Sequence, residues 1–160
     1  MAVLNLFSLQ NKNYSNWPSL ILRLAMGAGF LVHGLAKLQK GPDAFANLLA
    51  FLNVPFPHFS AWLVTLTEIF GGTALLVGLF VSVIAIPLTI TMIVAMLIIH
   101  IQYGFSSIKT IGLNEQGPLF GPPGYELNIV YIAGLISLVM MGAGKFSIDA
   151  LIAGKSHRHK

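Results

Sequence analysis

The sequence predicts an all-α membrane protein: a bundle of four transmembrane helices with a short interfacial helix in the first outer loop. Three observations carry that expectation. Of the 160 residues, 56% are apolar and only 9% are charged, where a soluble domain holds about a quarter charged residues. Four apolar stretches each approach the ~20 residues a helix needs to cross a hydrocarbon core of ~30 Å. None of them alternates with period 2, which argues against an outer-membrane barrel.

The same composition, with a mean hydropathy of +0.80, excludes disorder, which needs low hydrophobicity and high charge. Cysteine is absent, which removes a disulfide scaffold, a thiolate zinc site and a cysteine relay. A net charge of +4 and a pI near 9.6 come without any basic stretch dense enough to follow phosphates, so nucleic acid is not an expected partner. The lipid bilayer is. The length suits a single membrane domain over residues 1–160.

The first span is expected from about Leu20 to Leu38 and the second from about Ala61 to Phe80. The third follows from about Ser82 to Gln102, with Pro87 in its first two turns, where proline is tolerated. The fourth runs from about Glu126 to Gly144, leaving 1–17 and 146–160 as tails. The N-terminal residues hold one lysine and no compact apolar region followed by a small-residue cleavage site, so they do not read as a cleavable signal. Tyr14 and Trp17 suit the membrane interface. Lys12, Arg23, Lys145, Lys155, Arg158 and Lys160 fall on one side of such a bundle, against Lys37, Lys40 and Lys109 on the other. That excess places both termini in the cytoplasm.

The link between spans two and three is nearly absent, which predicts a tight antiparallel hairpin. In the first outer connection, Gly41-Pro42-Asp43 has the grammar of a helix start. Phe45, Leu48, Leu49 and Leu52 then recur at helical spacing up to Pro55 and Pro57, which predicts a short amphipathic helix at the interface. The second outer loop, Gly104 to Tyr125, is rich in glycine and proline and is expected to be irregular. Loops of that length are usually functional or disordered.

Ionisable residues inside a bilayer are costly and need a reason. Arg23, Gly27, Phe30, Gly34 and Lys37 recur every three or four residues, so one face of the first helix holds its charges and should face the bundle. His33 lies about 80° from Arg23 on that helix, at ~100° per residue. Arg23 is near the span's end, where it can snorkel. Glu68 sits about two turns inside the second span, between Thr65 and Gly72 on one face. It reads either as a structural acid, paired or protonated, or as a proton or ligand group. His100 ends the third span, and Glu126 opens the fourth, where a helix N-terminus favours an acid in any case.

His33, Glu68, His100 and Glu126, one from each helix, all fall in the outer half of the bundle with Lys37 nearby. Such a set can bind a metal, relay protons, hold a polar quinone head group or form a structural network. The working assignment gives Glu68 and His100 proton handling, and His33, Lys37 and Glu126 ligand binding. His58 is a weaker interfacial candidate, and His157 and His159 belong to a solvated tail. Gly71-Gly72, Ala133 with Ser137, and Gly142 to Gly144 read as close helix packing. A nucleotide loop, a nucleophile elbow and an HExxH zinc motif are all missing from the sequence.

At these residues the chain resembles the DoxX family of small four-helix bacterial membrane proteins. The resemblance rests on Arg23-xxx-Gly27-xx-Phe30-xxx-Gly34-xx-Lys37, the Leu52-Asn-Val-Pro55-x-Pro57 turn, Glu68-xx-Gly71-Gly72 and Leu76-Val-Gly78-Leu79. Gly121-x-x-Gly124-x-Glu126 and Gly142-x-Gly144-x-x-Ser147-x-Asp149 complete it, so it covers about residues 18–150. It implies a location in the bacterial inner membrane and relatives such as the DoxD-type subunit of thiosulfate:quinone oxidoreductase. Thiol redox in distant four-helix relatives uses paired cysteines, which are absent from this chain, so that activity does not carry over.

Three functions are open to such a chain. The first is a redox-associated, quinone-linked oxidoreductase subunit whose electrons come from a partner subunit. The second is a non-catalytic scaffold that recruits a partner through residues 104–125, with a homo-oligomer as the other possible assembly. The third is a small transporter or metal-binding module, for which a broken helix or an inverted repeat would be the usual sign.

Overall fold

The computed structural model describes residues 17–156, with side chains to residue 154. Lys12, Tyr14, His157, Arg158, His159 and Lys160, all assigned to tails from the sequence, lie outside the described residues, as does the side chain of Lys155. The order is α1 (Trp17–Lys40), α2 (Pro42–Phe51), α3 (Pro57–Val77) and α4 (Val81–Ala95). Helix α4 continues through a π-helical turn, Met96–His100, and a 3₁₀ turn, Ile101–Tyr103. Strands β1 (Thr110–Asn114) and β2 (Gly117–Phe120) follow, then α5 (Glu126–Met141) and α6 (Ile148–Ser156).

Local chemistry sets the helix boundaries. Lys37 and Lys40 occupy the last turn of α1, where cations suit the negative end of the helix dipole. Gly41 breaks the helix at φ +85°, and Pro42 with Asp43 then opens α2. Helix α3 starts on Pro57 and ends at Gly78, φ +71°. There the Leu79 amide reaches back to the Ala74 carbonyl (2.9 Å) in a left-handed glycine cap.

Among the described residues, three helices are long and apolar enough to cross a membrane: α1 with 24 residues, α3 with 21, and Val81–Tyr103 with 23. Helix α5 is equally apolar but has 16 residues. That is a rise of about 24 Å, short of a full hydrocarbon core. The fourth expected span, drawn to Gly144, ends at Met141 because Gly142 takes φ +73°.

The core lies among α1, α3, α4 and α5, where Phe30, Leu75, Val81, Ala85, Leu88, Leu135 and Leu138 are fully buried. Outside it, Phe70, Val83, Ile86 and Ile90 are exposed. This apolar exterior is what a bilayer solvates. Helix α2 is anchored by Ala46 and Leu49, which pack on Ala61 of α3, while Phe51 faces outward.

Helices α1 and α3 cross on glycine. A Cβ at Gly72 would lie 2.6 Å from the Leu31 amide nitrogen, and one at Gly27 would lie 2.8 Å from the Gly72 carbonyl oxygen. A Cβ at Gly34 would meet Ile69 Cγ1 at 2.7 Å and Glu68 Cβ at 3.1 Å. The glycine face read from the sequence is therefore a backbone-to-backbone contact, and it sets the register between Lys37 and Glu68.

Three expectations need correction. The 104–125 loop is not irregular throughout: β1 and β2 form an antiparallel hairpin, with a bulge between Thr110 and Gly112. Its glycines and prolines are compatible with that because both strands are edges. Asn114 Oδ1 accepts from the Gln116 amide (2.9 Å) and shapes the turn. The C-terminal segment is not simply a tail, since α6 packs under the α3–α4 turn. Asp149 accepts from the Phe80 amide (2.8 Å) and the Val81 amide (3.1 Å), capping α4 from 68 residues away. An Asp149→Ala variant should lose about 0.5–2 kcal/mol, the usual worth of an N-cap, and this is measurable as a lower unfolding temperature in detergent.

The third correction concerns Arg23, which does not snorkel. It is fully buried, donates from Nη2 to the Phe146 carbonyl (2.6 Å), and rests against Gly78, where a Cβ would collide with it. Ser19 donates to the Gly142 carbonyl (2.6 Å) beside it. Arg23 thus ties α1 to the Gly142–Asp149 segment at the turn end of the bundle, away from Lys37, Glu68 and His100.

Candidate functional site

At the opposite end of the bundle, the loop end, α1, α3, α4 and α5 enclose a cavity of about 660 Å³. Its roof includes Phe45 and Leu49 of α2 and Val54 of the turn that follows. The expected α3–α4 hairpin is tight only near its turn, where Gly71 receives Leu88. Farther along, Thr67 and Glu68 face Thr91 and Ala95 across the cavity.

Helix α1 contributes His33 and Lys37, and α3 contributes Glu68. Lys37 Nζ donates to Glu68 Oε2 in an ion pair whose carboxylate side chain is 3% exposed and whose ammonium side chain is 24% exposed. The ammonium also lies 5.1 Å from the centre of the Phe45 ring, within cation–π range. Of the two structural readings of Glu68, the paired acid is the one found. The pair also lines the cavity, so it faces a space where a ligand fits. His33 is exposed along the cavity wall.

His100 enters the cavity from the π-helical turn, where the Ile101 amide bonds the Met96 carbonyl five residues back. Such turns recur at functional sites because they re-aim side chains. His100 Nδ1 lies 3.0 Å from the Pro123 carbonyl oxygen. A carbonyl only accepts, so Nδ1 carries a proton, and in the neutral ring Nε2 is left as an acceptor.

Glu126 does not join this set. Its Oε2 accepts from the Ser107 amide (3.0 Å), and its own amide donates to the Phe105 carbonyl (2.9 Å), which closes the base of the hairpin loop. Helix α5 instead presents Asn128 and Tyr131 to the cavity. At ~100° per residue, Glu126 and Asn128 point about 200° apart, so one helix cannot offer both. Asn128 is buried and donates to the Met92 carbonyl (3.3 Å). The Tyr131 ring stands edge-on to Phe30, centroids 5.2 Å apart, and its hydroxyl occupies the space left by Gly29. Sequence reasoning missed both residues by considering only ionisable groups. Their i, i+3 spacing, on the stripe that continues to Gly134 and Leu135, was the available signal.

His58 lies outside the cavity and pairs with exposed Asp43 (3.3 Å), linking the starts of α2 and α3. Among the described residues, no three His, Asp or Glu side chains come together to hold a metal ion.

A second depression, of about 320 Å³, runs along the outer surface between α3 and α4. It shares Leu63, Thr67 and Pro87 with the cavity and continues past Leu66 and Phe70 toward Ile84.

The DoxX family pattern matches residues 19–101, more than half of the chain. The chain belongs to the DoxX family. The match includes His33, Lys37, Glu68 and His100 and stops before Asn128 and Tyr131. An uncharacterized membrane protein of Mycobacterium tuberculosis is 28% identical over 151 residues, covering 87% of this DoxX chain and 84% of its own. An uncharacterized protein of Haemophilus influenzae is 31% identical over 137 residues, 83% of this chain and 82% of its own. A Bacillus subtilis protein named "Putative oxidoreductase CatD" is 29% identical over 89 residues, 54% of this chain and 63% of its own. No solved structure gives a significant match to the chain.

Proposed function

We propose that this DoxX protein is a quinone-linked, redox-associated subunit of the bacterial inner membrane, with α5 as a fourth span and both termini in the cytoplasm. The observation that carries this reading is the single cavity in which His33, the Lys37–Glu68 pair and His100 meet apolar walls. Its 660 Å³ falls within the ~300–1,000 Å³ usual for small-ligand sites. A quinone ring needs donors and acceptors at its two oxygens and a dry slot for its faces. His100 Nε2, the Lys37 ammonium and the Asn128 amide supply the first, and Ile98, Ile99 and Leu127 the second. A relative that carries an oxidoreductase name supports the redox association. The excess of Lys and Arg beside the termini supports the orientation.

A quinone takes up two electrons and two protons on reduction to the quinol. In this chain, His100, charged by a proton taken up at Nε2, passes one proton to the reduced ring, and Glu68, protonated as charge redistributes away from Lys37, passes the other. Lys37 and Asn128 orient the ring oxygens, and the apolar walls exclude water. Aromatic packing of Tyr131 on Phe30 fixes the far wall. The two electrons come from a redox centre in a partner subunit. His100→Leu should leave the fold intact and lower quinone affinity by about fivefold to tenfold, the worth of one hydrogen bond. Binding titration of the purified protein checks this; an affinity unchanged by the substitution counts against the assignment.

The hairpin favours a scaffold reading, alone or combined with the first. Ile108, Ile111, Leu113 and Phe120 stand exposed around it, a surface suited to a partner subunit. If the protein is only a scaffold, Leu113→Asp abolishes co-purification with the partner while Glu68→Gln has no consequence. The transporter and metal-binding alternative gains no specific support from the described residues.

A further inference from the structure

We propose that the depression between α3 and α4 seats the hydrocarbon tail of the ligand and that the gap above it is the route by which the ligand enters from the bilayer. The substrate class is then a long-chain, lipid-dissolved quinone or quinol rather than a water-soluble one. This rests on the head-group reading of the cavity and adds the direction of access and the part of the ligand that lies outside.

Adjacency is the first argument. Leu63, Thr67 and Pro87 border both spaces, so the two adjoin along this one line of side chains. The second is exposure. Leu63, Ile90 and Val94 line the cavity, yet they are 54%, 56% and 43% exposed. The wall between α3 and α4 is therefore open on the face where Leu66 and Phe70 meet lipid. On the loop end part of the rim is covered. Leu49 is buried there, and Gly124 is wedged against the carbonyl oxygens of Phe105 and Ser106, each 2.7 Å from where its Cβ would be.

The third argument is chemical. The outer depression is walled by Leu63, Leu66, Phe70, Ile84 and Pro87, with Thr67 at its junction with the cavity. From Leu63 to Gly71 it follows α3 for about 12 Å at 1.5 Å per residue, room for the first stretch of a chain whose remainder lies in lipid. It ends where Leu88 fills the space over Gly71. Pro87 lacks an amide hydrogen, so α4 forgoes one backbone bond at the level where the two helices part. The polar residues are inside and the apolar channel leads outward, the order of a head group and its tail.

The test compares two quinones with the same ring, one with a long isoprenoid chain and one without a tail, titrated into the protein in nanodiscs. Concentrations are expressed per lipid, so that partitioning does not count as affinity. Wild-type protein should prefer the long-chain quinone by about tenfold or more. Leu66→Trp and Phe70→Trp, at two lipid-facing positions that line the depression and not the cavity, should each bring that preference below about threefold while tail-less binding stays within twofold. Both variants are first checked for wild-type unfolding temperature, and Phe70→Trp serves if Leu66→Trp does not fold. Equal binding of both quinones, unmoved by the substitutions, overturns the tail site and leaves the head-group site standing. Binding of neither quinone to wild-type protein overturns the head-group reading and the tail site with it.

Discussion

Lys37→Met should destabilise the protein by about 3–5 kcal/mol, because it strands the Glu68 carboxylate without a partner in an apolar site. The side chain left behind is 3% exposed and has no other hydrogen-bond partner recorded among the described residues. Glu68→Gln should cost less. The ammonium it leaves is 24% exposed, faces the Phe45 ring and stands near the end of α1, where a long side chain can turn toward water. Removing both charges in Lys37→Met/Glu68→Gln should restore most of the lost stability, since a buried ion pair contributes little net free energy over a neutral replacement. Chemical unfolding of the two single variants and the double variant gives a coupling energy, expected at about 3 kcal/mol, the upper end for residues in contact. Additive single effects would show that the two side chains do not interact. The double variant also separates the two roles of the pair. If the pair is only structural, stability and function return together; if it serves a ligand, the fold returns without the function.

The second large effect is expected at the helix crossing. Gly72→Val introduces a Cβ 2.6 Å from the Leu31 amide nitrogen and 2.8 Å from the Gly27 carbonyl oxygen. Both are backbone atoms that cannot swing aside, so α1 and α3 must separate. Overpacking of this kind costs about 1–3 kcal/mol where side chains can adjust, and the backbone contact places Gly72 at the upper end or beyond. The separation also moves Lys37 away from Glu68, so ligand affinity should fall even though the substituted residue is outside the cavity. Gly154→Ala is the control. It lies in α6 with open space around it, and alanine should be neutral or slightly stabilising there, within about 1 kcal/mol. Unfolding temperatures of the two variants decide this; equal temperatures would mean that the crossing tolerates a side chain.

The reasons these features were or were not legible in the sequence are physical. The period of Arg23, Gly27, Phe30, Gly34 and Lys37 marks an inward face because glycine and charge are both out of place against lipid. That logic led to the α1–α3 crossing and to Lys37, and the cost of an ionisable group in a bilayer led to His33, Glu68 and His100, three of the four candidates drawn one from each helix. The period did not separate Arg23 from Lys37. The two share a face, but fourteen residues on α1 divide them by about 21 Å, and they serve opposite ends of the bundle. Glu126 was grouped with the cavity by depth alone; its direction depends on the Ser107 and Phe105 backbone, which folds back from a loop that periodicity does not describe. The hairpin went unseen because glycine and proline, which weaken an interior strand, are acceptable where both strands are edges. Asp149 capping α4 joins residues 68 positions apart, and no local pattern reports such a contact. The π-helical turn that directs His100 has no sequence signature of its own.

The central claim is that the cavity around Lys37, Glu68 and His100 holds a quinone head group. Its most direct test is to load purified protein with excess quinone, remove the unbound fraction, extract the protein with solvent and quantify what it retained. Wild-type protein is compared with the Lys37→Met/Glu68→Gln variant, once that variant is shown to unfold at a similar temperature. The account predicts retention near one quinone per chain in the wild type and little in the variant. Wild-type protein that retains none, or a folded variant that retains as much, would contradict it.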